Sequence, residues 1–412
     1  MSKIKKILLL PFYKIAPIKR TRFVFTSYNG HYSDSPKCIC DAIHAIAPDL
    51  ELVWLTDKKN RYKVPPWIKW VEIGSFRAEW MKGSAKALID NVYCGIGHTV
   101  FNIKWFTWLT NILLYEMRNK HGQYAYTTWH GAPLKKIGRD QIGNSVSNFI
   151  CPPITMFLSN NYCAKILQHV TFFHIKTICL GTPRNDILFK PELMGGIQRK
   201  LNLPENKKII LFAPTFRNDG KDTSGKNLFR SGIDQLEQMN FSLLFETLSA
   251  RFGGDWAMVC RFHYHVAEMV NWDKLNAQFP GRIINGNAHD DMSEYLLCAD
   301  VLLTDASSCM FDYSLTRKPV FLFFPDLDHY ERQERGFYLP LSDLPFPVSK
   351  SFDGLLQNIQ SFEEEEYKEN VQKMLDKFGD VDDGAASERI ARYILDECGY
   401  LSKEKTATCY ST

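Results

Sequence analysis

Short apolar runs punctuate this chain at intervals that leave room for a helix between them. Phe23-Val24-Phe25-Thr26, Leu52-Val53-Trp54-Leu55, Ala87-Leu88-Ile89, Tyr124 to Trp129 and Thr177-Ile178-Cys179-Leu180 make a first series. Ile209-Ile210-Leu211-Phe212, Ala257-Met258-Val259-Cys260, Arg282-Ile283-Ile284, Val301-Leu302-Leu303 and Val320 to Phe324 make a second. Runs of this kind are strands buried on both faces of a parallel sheet, with crossover helices between them. The expected class is α/β with two doubly wound, Rossmann-like domains. Pro191, Gly195, Gly196 and Pro204 punctuate the stretch between Phe189 and Leu203, which places the boundary there. The expected organisation is a basic segment over 1–22, a first domain over 23–190, a second over 203–400 and a polar tail over 401–412.

Polar residues recur immediately after these runs. Asn29-Gly30-His31-Tyr32-Ser33-Asp34 follows the first, Gly181-Thr182-Pro183-Arg184-Asn185-Asp186 the fifth and Ala213-Pro214-Thr215-Phe216-Arg217 the sixth. Arg261-Phe262-His263-Tyr264-His265 and Thr304-Asp305-Ala306-Ser307-Ser308 follow later ones. The C-terminal edge of a parallel sheet is where ligands bind, and two such edges facing a cleft make a two-substrate transferase site. His130, in the turn His130-Gly131-Ala132-Pro133 after the Tyr124 run, is poorly placed as core filler, and a neutral imidazole there can take a proton near pH 7. Thr304 to Ser308 reads as a helix start, either a plain cap or a phosphate cradle. Arg261 and His263 share one loop and can neutralise a diphosphate as its bond breaks.

Composition narrows the classes. The 412 residues suit two domains, and a net charge of +4 does not suggest nucleic acid. The eleven cysteines are scattered without zinc spacing, which fits reduced thiols. No P-loop and no complete Gly-x-Gly-x-x-Gly occurs. Asp290-Asp291, the nearest thing to a metal-binding acid pair, reads rather as a helix start, so no cofactor is required and dependence on a divalent metal stays open. No apolar run spans a bilayer. Lys3, Lys5, Lys6, Lys14, Lys19, Arg20 and Arg22 all precede the first acid, Asp34, and alternate with Ile4, Ile7 to Leu10, Phe12, Tyr13 and Ile15. This segment reads either as lying on an anionic membrane surface or as a helix packed on its own domain. The Phe101–Tyr115 stretch, with Trp105 and Trp108, is a second candidate for a membrane interface or a buried helix.

Seven motifs then stand in order: Thr128-Trp-His-Gly-Ala-Pro-Leu-Lys-Lys-Ile-Gly138, Gly181-Thr-Pro-Arg-Asn-Asp186, Ala213-Pro-Thr-Phe-Arg217, Arg261-Phe-His-Tyr264, Asp291-Met-Ser-Glu294, Leu303-Thr-Asp-Ala-Ser-Ser308 and Arg335-Gly-Phe-Tyr338. This arrangement resembles the CDP-glycerol glycerophosphotransferase family, primases and polymerases of teichoic acid and related capsule polymers. The resemblance runs from Phe23 to Glu397. It implies two Rossmann-like domains in the glycosyltransferase type B arrangement, with a CDP-polyol donor on the C-terminal one. It implies a lipid-linked saccharide or polyol-phosphate acceptor and work at the cytoplasmic face of the membrane. The family's two essential histidines match His130 and His263. Ala132 stands where threonine is usual and Ala306 where tyrosine is common, and neither change removes a charged or proton-transferring group.

The resulting expectation is phosphoryl transfer. An acceptor hydroxyl attacks the β-phosphorus of a CDP-polyol with His130 as base, and CMP leaves. His263, Arg261, Thr304, Asp305, Ser307, Ser308 and Arg335 are expected at the donor, with Asp305 and Arg335 equally readable as scaffold residues. Gly131, Asn29, Gly30, Ser33 and Asp34 are expected on the acceptor side. The alternatives are a nucleotide-sugar glycosyltransferase of the same fold and a non-catalytic scaffold in polymer synthesis.

Overall fold

A computed structural model of the chain describes residues 11–91, 120–140, 153–170, 175–215, 217, 231–262, 267–331 and 336–401. It divides into two compact units. The first comprises Met1–His130, Gly143–Asp186 and Gly379–Thr412, the second Gly131–Ile142 and Ile187–Phe378.

The first unit is built on a seven-stranded sheet: β1 (Lys19–Phe25), β2 (Glu51–Thr56), β3 (Lys69–Glu72), β4 (Ala85–Asp90), β5 (Tyr124–Thr127), β6 (Ile154–Leu158) and β7 (Ile175–Cys179). Their spatial order is β3-β2-β1-β4-β5-β6-β7, parallel throughout. The second unit holds β8 (Lys208–Phe212), β9 (Trp256–Cys260), β10 (Ile283–Asn285), β11 (Val301–Thr304), β12 (Val320–Phe323) and β13 (Val348–Ser349). Their order is β10-β9-β8-β11-β12-β13, again parallel. Each expected run forms a strand of one of these two Rossmann-like sheets. The strands β3, β6 and β13 are additional. β3 is an edge strand with only Val71 buried, and β13 has two residues, so neither makes an apolar run. β6 is buried along its whole length, but Pro152 and Pro153 just before it favour a loop reading.

Strand order reverses between β1 and β4 in the first sheet and between β8 and β11 in the second. Loops leaving the sheet at such a switch point diverge and leave a crevice at the carboxyl ends of the strands. The described polar residues after β1, β8 and β11, with Asn91 directly after β4, therefore stand at the two places where this architecture puts ligands.

Two segments fall across the boundaries expected from sequence. Gly379–Thr412 belongs to the first unit because the helix Ala386–Glu397 buries Ile390, Ala391, Ile394 and Leu395 among Ile39, Cys40, Ile43, Phe23 and Trp54. Each fully buried aliphatic side chain contributes about 1.5–3 kcal/mol. Asp186 caps that helix, its carboxylate accepting from Ala386 N at 2.9 Å and Ser387 N at 2.8 Å. Gly181 (φ 95°) must stay small here: a Cβ would lie 2.7 Å from Ala386 Cβ. The second segment, Gly131–Ile142, belongs to the second unit. Lys135 bridges Phe337 in antiparallel fashion, Tyr338 N donates to Leu134 O at 2.8 Å and Ile137 N to the Tyr338 hydroxyl at 3.1 Å.

Residues 11–15 are helical and belong to the first unit, with Tyr13 and Ala16 buried and Phe12 and Ile15 exposed. Lys120 Nζ fastens them by donating to the carbonyls of Tyr13, Ala16 and Gly83.

Glu51 knits three adjacent strands together. Its carboxylate meets Lys19 at 2.9 Å, Arg22 at 3.0 Å and Lys69 at 3.3 Å. Partial burial opposes ionisation, yet these three cations pull its pKa from the usual 4.5 to about 2. A carboxylate with a lowered folded-state pKa stabilises the fold above its unfolded value, and the contribution fades as pH falls through the folded one. Glu51→Gln is expected to destabilise the protein at pH 7 by about 1–2 kcal/mol, after allowance for solvent screening. In urea titrations that difference should shrink between pH 4.5 and pH 2. A deficit that persists unchanged at the acid end would mean the glutamate acts through packing instead.

Candidate functional site

His130 follows β5, which neighbours β4 at the first switch point. The turn is bent sharply: Trp129 has φ 54° and Gly131 φ 136°, so both residues flanking the histidine sit in the region that favours glycine. A bulky residue held there is a strained feature, of order 1–3 kcal/mol, of the kind that gathers at functional sites. This departure ends β5 at Thr127 and turns the exposed imidazole out of the sheet, its ring 4.1 Å from that of Trp129. His130 Nδ1 lies 3.3 Å from the main-chain oxygen of Asn91. A carbonyl only accepts, so in the neutral ring Nδ1 carries the proton and Nε2 the basic lone pair. That is the protonation a general base needs.

Asn91 directly follows β4 and is itself held. Its amide donates to Asp34 Oδ2 at 2.8 Å and to Ser27 Oγ at 3.2 Å. Asp34 opens the helix Asp34–Ile46 at φ 62°. Its carboxylate also takes Ser35 N at 2.6 Å and both oxygens face Arg184 Nη1, at 3.2 and 3.4 Å. Burial would raise its pKa, but Arg184 and the hydrogen bonds from Ser35 and Asn91 outweigh it and hold the group ionised below the ordinary range. The carboxylate of Asp34, expected on the acceptor side, is thus held by partners within the first unit. Gly30 and Ser33 are buried as well. Gly30 (φ 76°) packs so tightly that a Cβ would sit 2.8 Å from Thr56 Cα, and its carbonyl accepts from Trp54 Nε1 at 3.1 Å. The backbone of Asn29 lies in the 3-10 turn Tyr28–Gly30.

At the second switch point Asp305 is fully buried. Its Oδ1 accepts from Thr215 N at 2.8 Å, from the Thr215 hydroxyl and from Ala306 N at 2.6 Å. Its Oδ2 meets Gln235 Nε2 at 3.2 Å and Arg217 Nη2 at 2.9 Å. Arg217, 2% exposed, also pairs with Asp326 at 2.8 Å and lies over the ring of Tyr330 at 4.5 Å. Burial lowers the guanidinium's affinity for its proton, and the two carboxylates more than restore it. Of the two readings of Asp305, these contacts favour the scaffold one: it ties the loop after β8 to the loop after β11. Thr304 is likewise buried, its hydroxyl donating to Ala213 O at 2.6 Å. Ser307 and Ser308 are the half-exposed residues of this loop, just before the six-residue helix Cys309–Ser314.

Arg261 faces its own loop. Nη1 donates to the carbonyls of Gly286 at 2.7 Å and His289 at 2.6 Å, and Nη2 to Asp290 O at 2.6 Å. The guanidinium lies 5.1 Å from the Tyr295 ring. Rather than being wholly offered to a diphosphate, it shapes residues 286–290. His263 and Arg335 lie outside the described residues, as do the Trp105 segment and the first ten positions.

Asn91 and Gln235 were not singled out from sequence, and Arg184 and Arg217 were named only as parts of motifs. Asn91 and Gln235 gain meaning from strand order, which no local pattern encodes. The arginines had a usable sign, since Arg184 stands one residue and Arg217 three residues beyond a proline in a post-strand loop.

Similar sequences and this fold recur in known proteins. The teichoic acid poly(glycerol phosphate) polymerase of Staphylococcus epidermidis is 29% identical over 92% of this chain. This chain covers 51% of that protein, so it spans about half its length. The teichoic acid glycerol-phosphate transferase of Staphylococcus aureus is 30% identical, with 72% of this chain and 79% of that one aligned. Among solved structures, the wall teichoic acid polymerase TagF soaked with CDPG superposes with a TM-score of 0.74 at 25% identity, covering 96% of this chain and 93% of that one. The sequence matches the family's pattern from residue 8 to residue 396, and the chain belongs to the CDP-glycerol:poly(glycerophosphate) glycerophosphotransferase family.

Proposed function

We propose that this chain is a CDP-polyol phosphotransferase. It moves glycerol phosphate or ribitol phosphate from its CDP ester to a hydroxyl of a lipid-linked saccharide or a growing polyol-phosphate chain, and releases CMP. The observation that carries this reading is the family match along residues 8–396. It is supported by relatives named for glycerol-phosphate transfer and polymerisation and by a solved relative soaked with CDPG. The acceptor oxygen attacks the β-phosphorus, the bond to the departing CMP oxygen breaks, and His130 Nε2 takes the hydroxyl proton. Such transfers depend mainly on positioning and charge stabilisation. We assign the donor phosphates to the hydroxyls of Ser307 and Ser308 together with His263 and Arg335, while Arg261 keeps the neighbouring loop in shape. Gly131 and Asn29 remain on the acceptor side. The test is incubation with CDP-glycerol, CDP-ribitol and UDP-sugars and a short saccharide acceptor. CMP release with a polyol-phosphate mass gain is expected. UDP release with sugar addition would establish the glycosyltransferase alternative, and no turnover with any donor would leave the scaffold reading.

We assign the reaction, with its lipid-linked acceptor, to the cytoplasmic membrane surface, a location that the helical residues 11–15 suit. No helix among the described residues is long and apolar enough to cross a membrane. Ile15 is 67% exposed, Phe12 37% and Phe76 48%, with the two phenyl rings 4.6 Å apart. Lys14, Lys19, Arg20 and Arg77 are exposed on the same unit. Aromatic and aliphatic tips among basic residues fit the headgroup boundary of an anionic bilayer, each basic group adding about 1 kcal/mol. Replacing Phe12 and Ile15 by Ser should weaken sedimentation with phosphatidylglycerol vesicles at least about tenfold, and high salt should weaken it further. It should also reduce turnover on vesicle-borne acceptor more than on a soluble analogue. Unchanged vesicle binding by the double variant would move docking elsewhere, with the Trp105 segment next.

A further inference from the structure

We propose that Asn91, held by Asp34 and Arg184, is a positioning residue that fixes the tautomer and direction of His130. The proposal rests on the reading of His130 as the base. Four residues from four places in the sequence form one chain of contacts within the first unit. Arg184 Nη1 faces Asp34 Oδ1 at 3.2 Å, Asp34 Oδ2 accepts from Asn91 Nδ2 at 2.8 Å, and the Asn91 carbonyl lies 3.3 Å from His130 Nδ1. Asn91 is buried, and the ion pair behind it is largely enclosed, with 12% and 21% of the two side chains exposed.

Each link has a chemical reason. The Asn91 amide needs acceptors on both N–H groups, and Asp34 and Ser27 supply them. Anchored at both, the side chain fixes the peptide unit whose carbonyl faces the imidazole. An ionised Asp34 holds a stronger hydrogen bond than a neutral group would, and Arg184 keeps it ionised. The carbonyl accepts the Nδ1 proton and leaves Nε2 basic, much as an outer-shell acceptor orients a catalytic imidazole elsewhere. The network crosses the switch point between β1 and β4, so it also ties the two diverging loops together.

The test reads the tautomer directly. Protein labelled with ¹⁵N-histidine, with the His130 resonances assigned by difference from His130→Ala, gives the protonation of each ring nitrogen. The expected result is an Nδ1–H ring in the native protein, and in Asn91→Ala and Asp34→Ala a shift toward the mixture of tautomers found in an unconstrained histidine. Both variants should lose about 10²-fold in kcat, with KM for the CDP donor little changed. Asp34→Asn should recover most of that loss, because asparagine tolerates φ 62° and still offers an acceptor oxygen. An Nε2–H ring in the native protein, or an unaltered tautomer in folded Asn91→Ala, would overturn the proposal. Loss of the base reading looks different: full activity of His130→Ala with the tautomer shift intact would remove the base and leave the orienting contacts standing.

Discussion

His130→Ala is expected to lower transfer by about 10²–10⁴-fold, the usual contribution of a positioned proton acceptor, while the protein stays folded and retains its affinity for CDP. The imidazole is exposed and follows the last residue of β5 by three positions, so its removal opens no cavity in the sheet. The strain at Trp129 and Gly131 lies in the backbone and remains when the ring is cut away. The loss should therefore fall on kcat, with the urea midpoint and the CDP binding isotherm close to those of the native protein. The decisive comparison is single-turnover transfer from CDP-glycerol at saturating donor. A folded His130→Ala protein with near-native turnover would exclude the base role. A large drop in CDP affinity would instead place the residue at the donor.

The fold was legible because its strands announce themselves. Runs such as Trp256–Cys260 are buried at every position, and only a parallel sheet covered on both faces needs that pattern. The two crossing segments were not legible for an equally physical reason. Nothing local to Ala386–Glu397 says which sheet its apolar face will cover, and the capping carboxylate comes from Asp186, two hundred positions earlier. The site divides along the same line. His130 was visible as a histidine on a turn after a strand. Asn91 was not, because its importance comes from standing at the end of β4, beside β1, in an order that sequence does not print. Polar residues in post-strand loops also invite over-assignment. Asp34 and Asp305 sit where ligands bind in such folds, yet each is occupied in holding two loops together at the switch point.

Asp305→Ala separates these two roles, and its expected effect is on stability. The carboxylate is fully buried and accepts from Thr215, Ala306, Gln235 and Arg217, so truncation removes several hydrogen bonds and half of a buried ion pair at once. Breaking a buried pair from one side costs about 3–5 kcal/mol, because the remaining charge stays desolvated. Arg217 keeps Asp326 at 2.8 Å, which places the expected loss near the lower end, about 3 kcal/mol. Asp305→Asn should fall between, since it preserves the volume and one acceptor oxygen but turns an N–H group toward groups that donate. Urea unfolding of the second unit, followed by the fluorescence of Trp256 in β9, would read these losses, with CDP-glycerol affinity measured in parallel on the folded fraction. A scaffold residue predicts a shifted midpoint and near-native affinity per folded molecule. The opposite pattern, with an unmoved midpoint and lost affinity, would return Asp305 to the donor site.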